Sequence, residues 1–145
     1  MAVIYCLSYS ALRCPTLEAP QNGTITCTQQ TTGGQCSFIC NKGYVLLGTR
    51  VRVCFPSLRW SGRTATCRPR QCASLEPPHH GFVLLPCTRE YATSCGIQCE
   101  YGYNREGPGK QFCSLYDGTD QLQWTEAPVC EGEIFLCREI CGSYI

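Results

Sequence analysis

Cysteine is the residue with most chemistry to offer in this chain: fifteen of its 145 residues are cysteines, the density of a disulfide scaffold. Thiols can ligate metal, attack electrophiles or pair by oxidation. Cys36 with Cys40 and Cys95 with Cys99 have spacings that zinc tolerates, but a zinc site also needs a matching set of ligands elsewhere. The only histidines, His79 and His80, are adjacent and supply no such set. They read as turn residues, since polar side chains readily fill such positions. The chain has no Gly-x-Ser-x-Gly, no His-Glu-x-x-His and no phosphate-cradling glycine loop, which are the parts a catalytic site would need. The sequence therefore predicts no enzymatic activity, no cofactor and no metal site.

A chain this rich in cysteine needs an oxidising compartment, so it reads as secreted or extracellular, as itself or as the ectodomain of a larger protein. Hydrophobic residues make up 43% of it with the cysteines included, too little for one large core. Fourteen glycines and nine prolines leave only short uninterrupted runs, which suit strands and turns and predict almost no helix. No run approaches the roughly 18 apolar residues needed to span a bilayer, so no membrane span is expected. Ala2 to Leu7 is apolar but lacks a basic flank and makes a poor signal peptide. Residues 1–13 read instead as a leader or remnant, from a fragment, an isoform or a mispredicted start.

The elements that position the cysteines are repeated. Cysteines 14, 27, 36, 40, 54 and 67 are separated by 13, 9, 4, 14 and 13 positions, and cysteines 72, 87, 95, 99, 113 and 130 by 15, 8, 4, 14 and 17. Between them, Leu17-Glu18-Ala19-Pro20-Gln21-Asn22-Gly23 matches Leu75-Glu76-Pro77-Pro78-His79-His80-Gly81. Gly43-Tyr44 and Gly48 match Gly102-Tyr103 and Gly107, and Trp60 matches Trp124. Such internal periodicity defines the architecture before any secondary structure is considered.

The motifs Cys14-Pro15, Asn22-Gly23, Cys40-Asn41-Lys42-Gly43-Tyr44, Gly48, Cys54, Trp60-Ser61-Gly62 and Cys67 resemble the sushi family, also called complement control protein modules or short consensus repeats. The resemblance covers residues 14–130. It implies an all-β, disulfide-rich fold of two tandem small modules, 14–67 and 72–130, with a linker at 68–71 and a C-terminal tail at 131–145. Six cysteines allow fifteen pairings. The resemblance implies Cys14 with Cys54 and Cys40 with Cys67 in the first copy, and Cys72 with Cys113 and Cys99 with Cys130 in the second. The extra pairs, Cys27 with Cys36 and Cys87 with Cys95, look like the six-cysteine modules of selectins and sushi-repeat matrix proteins. Cys6, Cys137 and Cys141 are left over and do not make an even set. A module of 54 residues buries too little surface to be comfortably stable without such staples. Trp60, Trp124, Tyr44 and Tyr103 read as the apolar body packed against them.

The copies differ where binding usually resides. Between the third of the four cysteines shared with the family, Cys54 in the first copy and Cys113 in the second, and the tryptophan, the second copy holds ten residues, Ser114 to Gln123, against five in the first. They read as a turn-rich surface loop, more simply a tolerated insertion than a contact. Asn22-Gly23-Thr24 is an N-glycosylation acceptor pattern in a turn. Charge is polarised: residues 13–70 hold eight basic residues and one acid, a formal +7, and residues 71–145 hold four and ten, a formal −6. Arg50 and Arg52 alternate along an expected strand and so share a face; Arg59 and Arg63 flank Trp60, and Arg68 and Arg70 fall in the linker. This set is a candidate patch for sulfated glycans or an acidic protein surface; its plainer meaning is a solvated basic face or electrostatic association of the modules. Nucleic acid is excluded by the compartment. The expected function is non-catalytic recognition of an extracellular protein in cell adhesion or matrix assembly. The alternatives are a complement regulator that binds opsonic fragments and a recognition appendage of a larger mosaic protease.

Overall fold

A computed structural model describes residues 12–132. Cys6, Cys137 and Cys141 lie outside the described residues. The chain divides after Pro69 into two compact units, and all the regular structure in the described residues is β-strand.

In the first unit, β1 (Gly23–Cys27), β2 (Gln35–Cys40) and β4 (Val51–Val53) form an antiparallel sheet in the order β1-β2-β4, and β3 (Tyr44–Leu47) pairs with β5 (Thr66–Pro69). Arg68 and Pro69, expected in a linker, thus lie opposite Val45 and Tyr44 in β5. Period-two alternation sets the burial along β2: Cys36 and Phe38 point inward and Ile39 is exposed. Cys36, Phe38 and Ala65 form the core, with Leu17, Ile25, Leu46 and Trp60 packed against it. So small a core leaves the disulfides as the main anchors. They join Cys14 to Cys54, Cys27 to Cys36 and Cys40 to Cys67. Cys27 and Cys36 are direct cross-strand partners, their Cα atoms 4.0 Å apart.

The second unit contains the corresponding strands β6 (Gly81–Val83), β7 (Ser94–Cys99), β8 (Tyr103–Glu106), β9 (Lys110–Leu115) and β11 (Val129–Gly132), with one addition, β10 (Leu122–Trp124). The sheets run β10-β9-β7-β6 and β11-β8. Disulfides join Cys72 to Cys113, Cys87 to Cys95 and Cys99 to Cys130. The ten-residue insertion is not a plain surface loop. It extends β9 and creates β10, with Leu122 opposite Leu115, Gln123 opposite Ser114 and Trp124 opposite Cys113. The hairpin is closed by Tyr116 N–H donating to the Gln121 carbonyl at 2.7 Å and Thr119 N–H donating to the Tyr116 carbonyl at 2.9 Å. The first unit makes a shorter version of this hairpin, an isolated bridge between Cys54 and Trp60 closed by Phe55 N–H donating to the Arg59 carbonyl at 2.9 Å.

Both tryptophans are tied to the start of their own unit: Trp60 Nε1 donates to the Pro15 carbonyl at 2.7 Å and Trp124 Nε1 to the Ala73 carbonyl at 2.9 Å. An indole buries its rings while its N–H still needs an acceptor, so each tryptophan clamps the extended entry segment onto the hairpin that follows the third cysteine.

Candidate functional site

The turn after each entry segment is shaped by a disulfide. Asn22 and His80 both adopt the left-handed conformation, φ 62° and 58°, which asparagine tolerates better than most residues. The glycine that follows is demanded by crowding. A Cβ on Gly23 would lie 2.7 Å from Cys67 Sγ and 2.8 Å from the Ile39 carbonyl oxygen; on Gly81 it would lie 2.8 Å from Pro78 Cγ and 3.0 Å from Cys130 Sγ. Asn22 is exposed, as is Thr24. His80 stacks on Tyr103, ring centroids 4.0 Å apart and planes within 12°, with His79 edge-on to it at 4.0 Å. His80 Nδ1 lies 3.5 Å from Glu100 Oε2. Among the described residues, no three His, Cys, Asp or Glu side chains are grouped as a metal site. Cys36, Cys40, Cys95 and Cys99, the spacings that zinc would tolerate, are all in disulfides.

The six arginines of the basic set have different fates. Arg50, Arg59, Arg63 and Arg68 are exposed, and Arg68 belongs to β5. Arg70 is committed within the second unit: its Nη2 donates to both the carbonyl and Oδ1 of Asp120 at 2.7 Å. The inserted hairpin is thereby fastened to the first residue of its own unit, a link between residues fifty positions apart that the sequence did not signal. Arg52 is half-buried. It sits opposite Cys36 in the register, so its side chain lies on the face of the sheet that carries Cys36 and Phe38, and its Nε donates to the Ser61 carbonyl at 2.8 Å.

Arg52 also borders a concavity of the first unit, a groove of about 400 Å³ lined by the entry segment Thr16–Pro20, Thr64–Ala65 and Phe38. Sequence reasoning missed this site. The Leu-Glu-x-Pro motif that builds its wall was visible as a repeat, but concavity depends on what packs opposite that motif.

With the six disulfides and the Trp, Gly and Asn-Gly geometry in place, residues 14–67 match the family model of the Sushi repeat (SCR repeat). This is a sushi-repeat chain. It is 32% identical over 133 residues to E-selectin of Equus caballus, covering 83% of this chain and 21% of that protein. It is 36% identical over 137 residues to P-selectin of Rattus norvegicus, covering 89% and 17%. It is 32% identical over 133 residues to complement receptor type 2 of Homo sapiens, covering 90% and 13%. The sushi-repeat chain thus spans about a fifth or less of these relatives. Its disulfides need an oxidising setting, which makes extracellular space, or the ectodomain of a larger protein, its location. No helix among the described residues is long and apolar enough to cross a membrane.

Proposed function

We propose that this chain is a non-catalytic recognition segment that binds an extracellular protein in cell adhesion or matrix assembly, with sulfated glycan as a further ligand of its first module. The observation that carries this reading is the charge polarity between residues 13–70 and 71–145, together with the exposure of Arg50, Arg59, Arg63 and Arg68. Among the described residues those four form no ion pair with an acid. Cationic side chains left open to solvent on one small module attract polyanions and steer acidic partners. The likeness to selectins supports an adhesion setting, and the sushi family supports binding over catalysis. The binding modules on this reading are 14–67 and 72–130, with Arg68 and Pro69 in the last strand of the first unit and the division between units after Pro69. Asn22, exposed at the tip of its turn, carries an N-linked glycan, which a mass shift on enzymatic deglycosylation of the secreted protein would reveal.

The test is retention of the chain on immobilised heparin across a salt series, beside a variant with Arg50, Arg59 and Arg63 each changed to Glu. Salt-sensitive retention that the variant loses supports the glycan reading. Elution of both at low salt defeats it and leaves protein recognition alone. The likeness to complement receptor type 2 favours a second reading, complement regulation through opsonic fragments, which a cofactor assay on those fragments would detect.

A further inference from the structure

The groove of the first unit is where fold and charge part company. At the residue two before the third cysteine, the two units do the same structural task with different side chains. Arg52 Nε donates to the Ser61 carbonyl at 2.8 Å, and Gln111 Nε2 donates to the Thr125 carbonyl at 2.8 Å; in each case the acceptor follows the tryptophan. The neutral amide makes the bond, so the fold does not require the positive charge at Arg52. The opposite wall differs as well. Ala65, which lines the groove, corresponds to Pro128, which is fully buried; the second unit puts a ring where the first puts a methyl group. Glu18, the single acid of residues 13–70, stands on the groove wall and forms no ion pair with Arg52.

We infer that this groove docks an acidic, apolar-tipped segment of a partner protein. An apolar side chain of that segment enters between Leu17, Pro20 and Ala65 over the Phe38 ring, and a neighbouring carboxylate meets the Arg52 guanidinium. The volume is within the range of sites that enclose small ligands. The guanidinium spends one N–H on Ser61 and keeps its outer donors, whose fork geometry suits a carboxylate. Glu18, also on the groove wall, repels a second carboxylate and favours an N–H donor of the segment beside the apolar contact. The excess of positive charge on the unit as a whole favours an acidic partner. The inference rests on the reading of this unit as a recognition face, and it assigns the protein-binding contact to the groove instead of the exposed arginines.

The experiment is a nuclear magnetic resonance titration of the full chain with 3-phenylpropionate, with the uncharged 3-phenylpropanamide and with acetate. For a ligand this small the expected affinity is in the millimolar range. With phenylpropionate, shifts centred on the amides of Leu17, Glu18 and Ala65 and on Arg52 Nε–H are expected, with binding to the amide weaker by about tenfold, the scale of one hydrogen bond to a charged group, and binding to acetate weaker because it lacks the phenyl ring that would be buried. Arg52→Gln, which keeps the bond to Ser61, should lower the phenylpropionate affinity by a similar factor. Ala65→Pro should abolish groove shifts altogether. Both replacements are the residues that the second unit uses at these places, and the amide spectrum of each variant reports whether it is folded. Unchanged binding in both folded variants, shifts confined to Arg50, Arg59 and Arg63, or no shifts at all would each overturn the inference. Heparin retention separates the two readings: if it survives in Ala65→Pro while groove shifts never appear, the groove fails and the basic face stands. If groove shifts appear but heparin retention is absent, the glycan reading fails and the groove stands.

Discussion

The two units of this chain solve one framework problem twice, and their differences separate what the framework needs from what it merely permits. In both, the residue after the tryptophan holds the strand before the third cysteine by three bonds. In the first unit Ser61 N–H donates to the Val53 carbonyl, Val53 N–H donates to Ser61 Oγ and Arg52 donates to the Ser61 carbonyl. In the second, Thr125 makes the same set with Phe112 and Gln111. In both, a residue in the left-handed conformation donates its backbone N–H to the carbonyl of the third cysteine: Gly33 to Cys54 and Ala92 to Cys113, each at 2.9 Å. The backbone path is therefore the common element. Side-chain identity is free wherever a second residue can make the same bond, and that freedom is where the first unit carries an arginine and the second a neutral amide.

Removing disulfides tests the framework most severely. In the loop-entropy account, deleting Cys14–Cys54, with a sequence separation of 40, costs about 4 kcal/mol, and deleting Cys27–Cys36, with a separation of 9, about 2.5 kcal/mol. Cys72–Cys113 and Cys87–Cys95 in the second unit, with separations of 41 and 8, should follow the same order. Thermal or denaturant unfolding of paired Cys→Ala variants measures this, and equal losses for long and short loops would show that strain or burial outweighs loop entropy.

Next in size is the turn glycine. Gly23→Ala should cost about 2 kcal/mol by overpacking, because the new Cβ meets a disulfide sulfur and a backbone oxygen. Gly81→Ala should cost less, because its nearest neighbour is a proline ring atom and its other approaches are longer. A reversed order in unfolding midpoints would break the claimed equivalence of the two turns.

The left-handed position sharpens the comparison with changes of opposite sign. Gly33 has open space where a side chain would project, so Gly33→Ala should lose only the backbone preference, about 1 kcal/mol. Ala92, at φ 65°, already carries that strain, and Ala92→Gly should raise the melting temperature by relieving it, less the entropy that glycine adds to the unfolded chain. A loss of stability in both variants would contradict the assignment. The smallest effect expected is from Asp120→Ala: the Arg70 pair it breaks is partly exposed, and such pairs contribute about 0.5 kcal/mol. Its sharper readout is faster amide exchange at Tyr116 and Thr119, which close the hairpin.

The repeated cysteine spacings and the repeated Gly-Tyr and Trp positions marked two copies of one short-stranded unit in the sequence itself; the all-β module fold and the cysteine pairing came from the resemblance to the sushi family, because six cysteines alone allow fifteen pairings. Charge polarity was legible too, since it is a property of composition. Tertiary structure alone decided which arginines remain available. Arg52 and Arg70 look alike in sequence, yet one borders a groove from the inner face of a sheet and the other is held by Asp120, fifty residues away. It also decided that the insertion is a hairpin, because Leu115 and Leu122 acquire a common face only once paired. The groove itself was beyond sequence for the same physical reason: a cavity is the space left between side chains far apart in the chain, here Leu17, Phe38, Arg52 and Ala65.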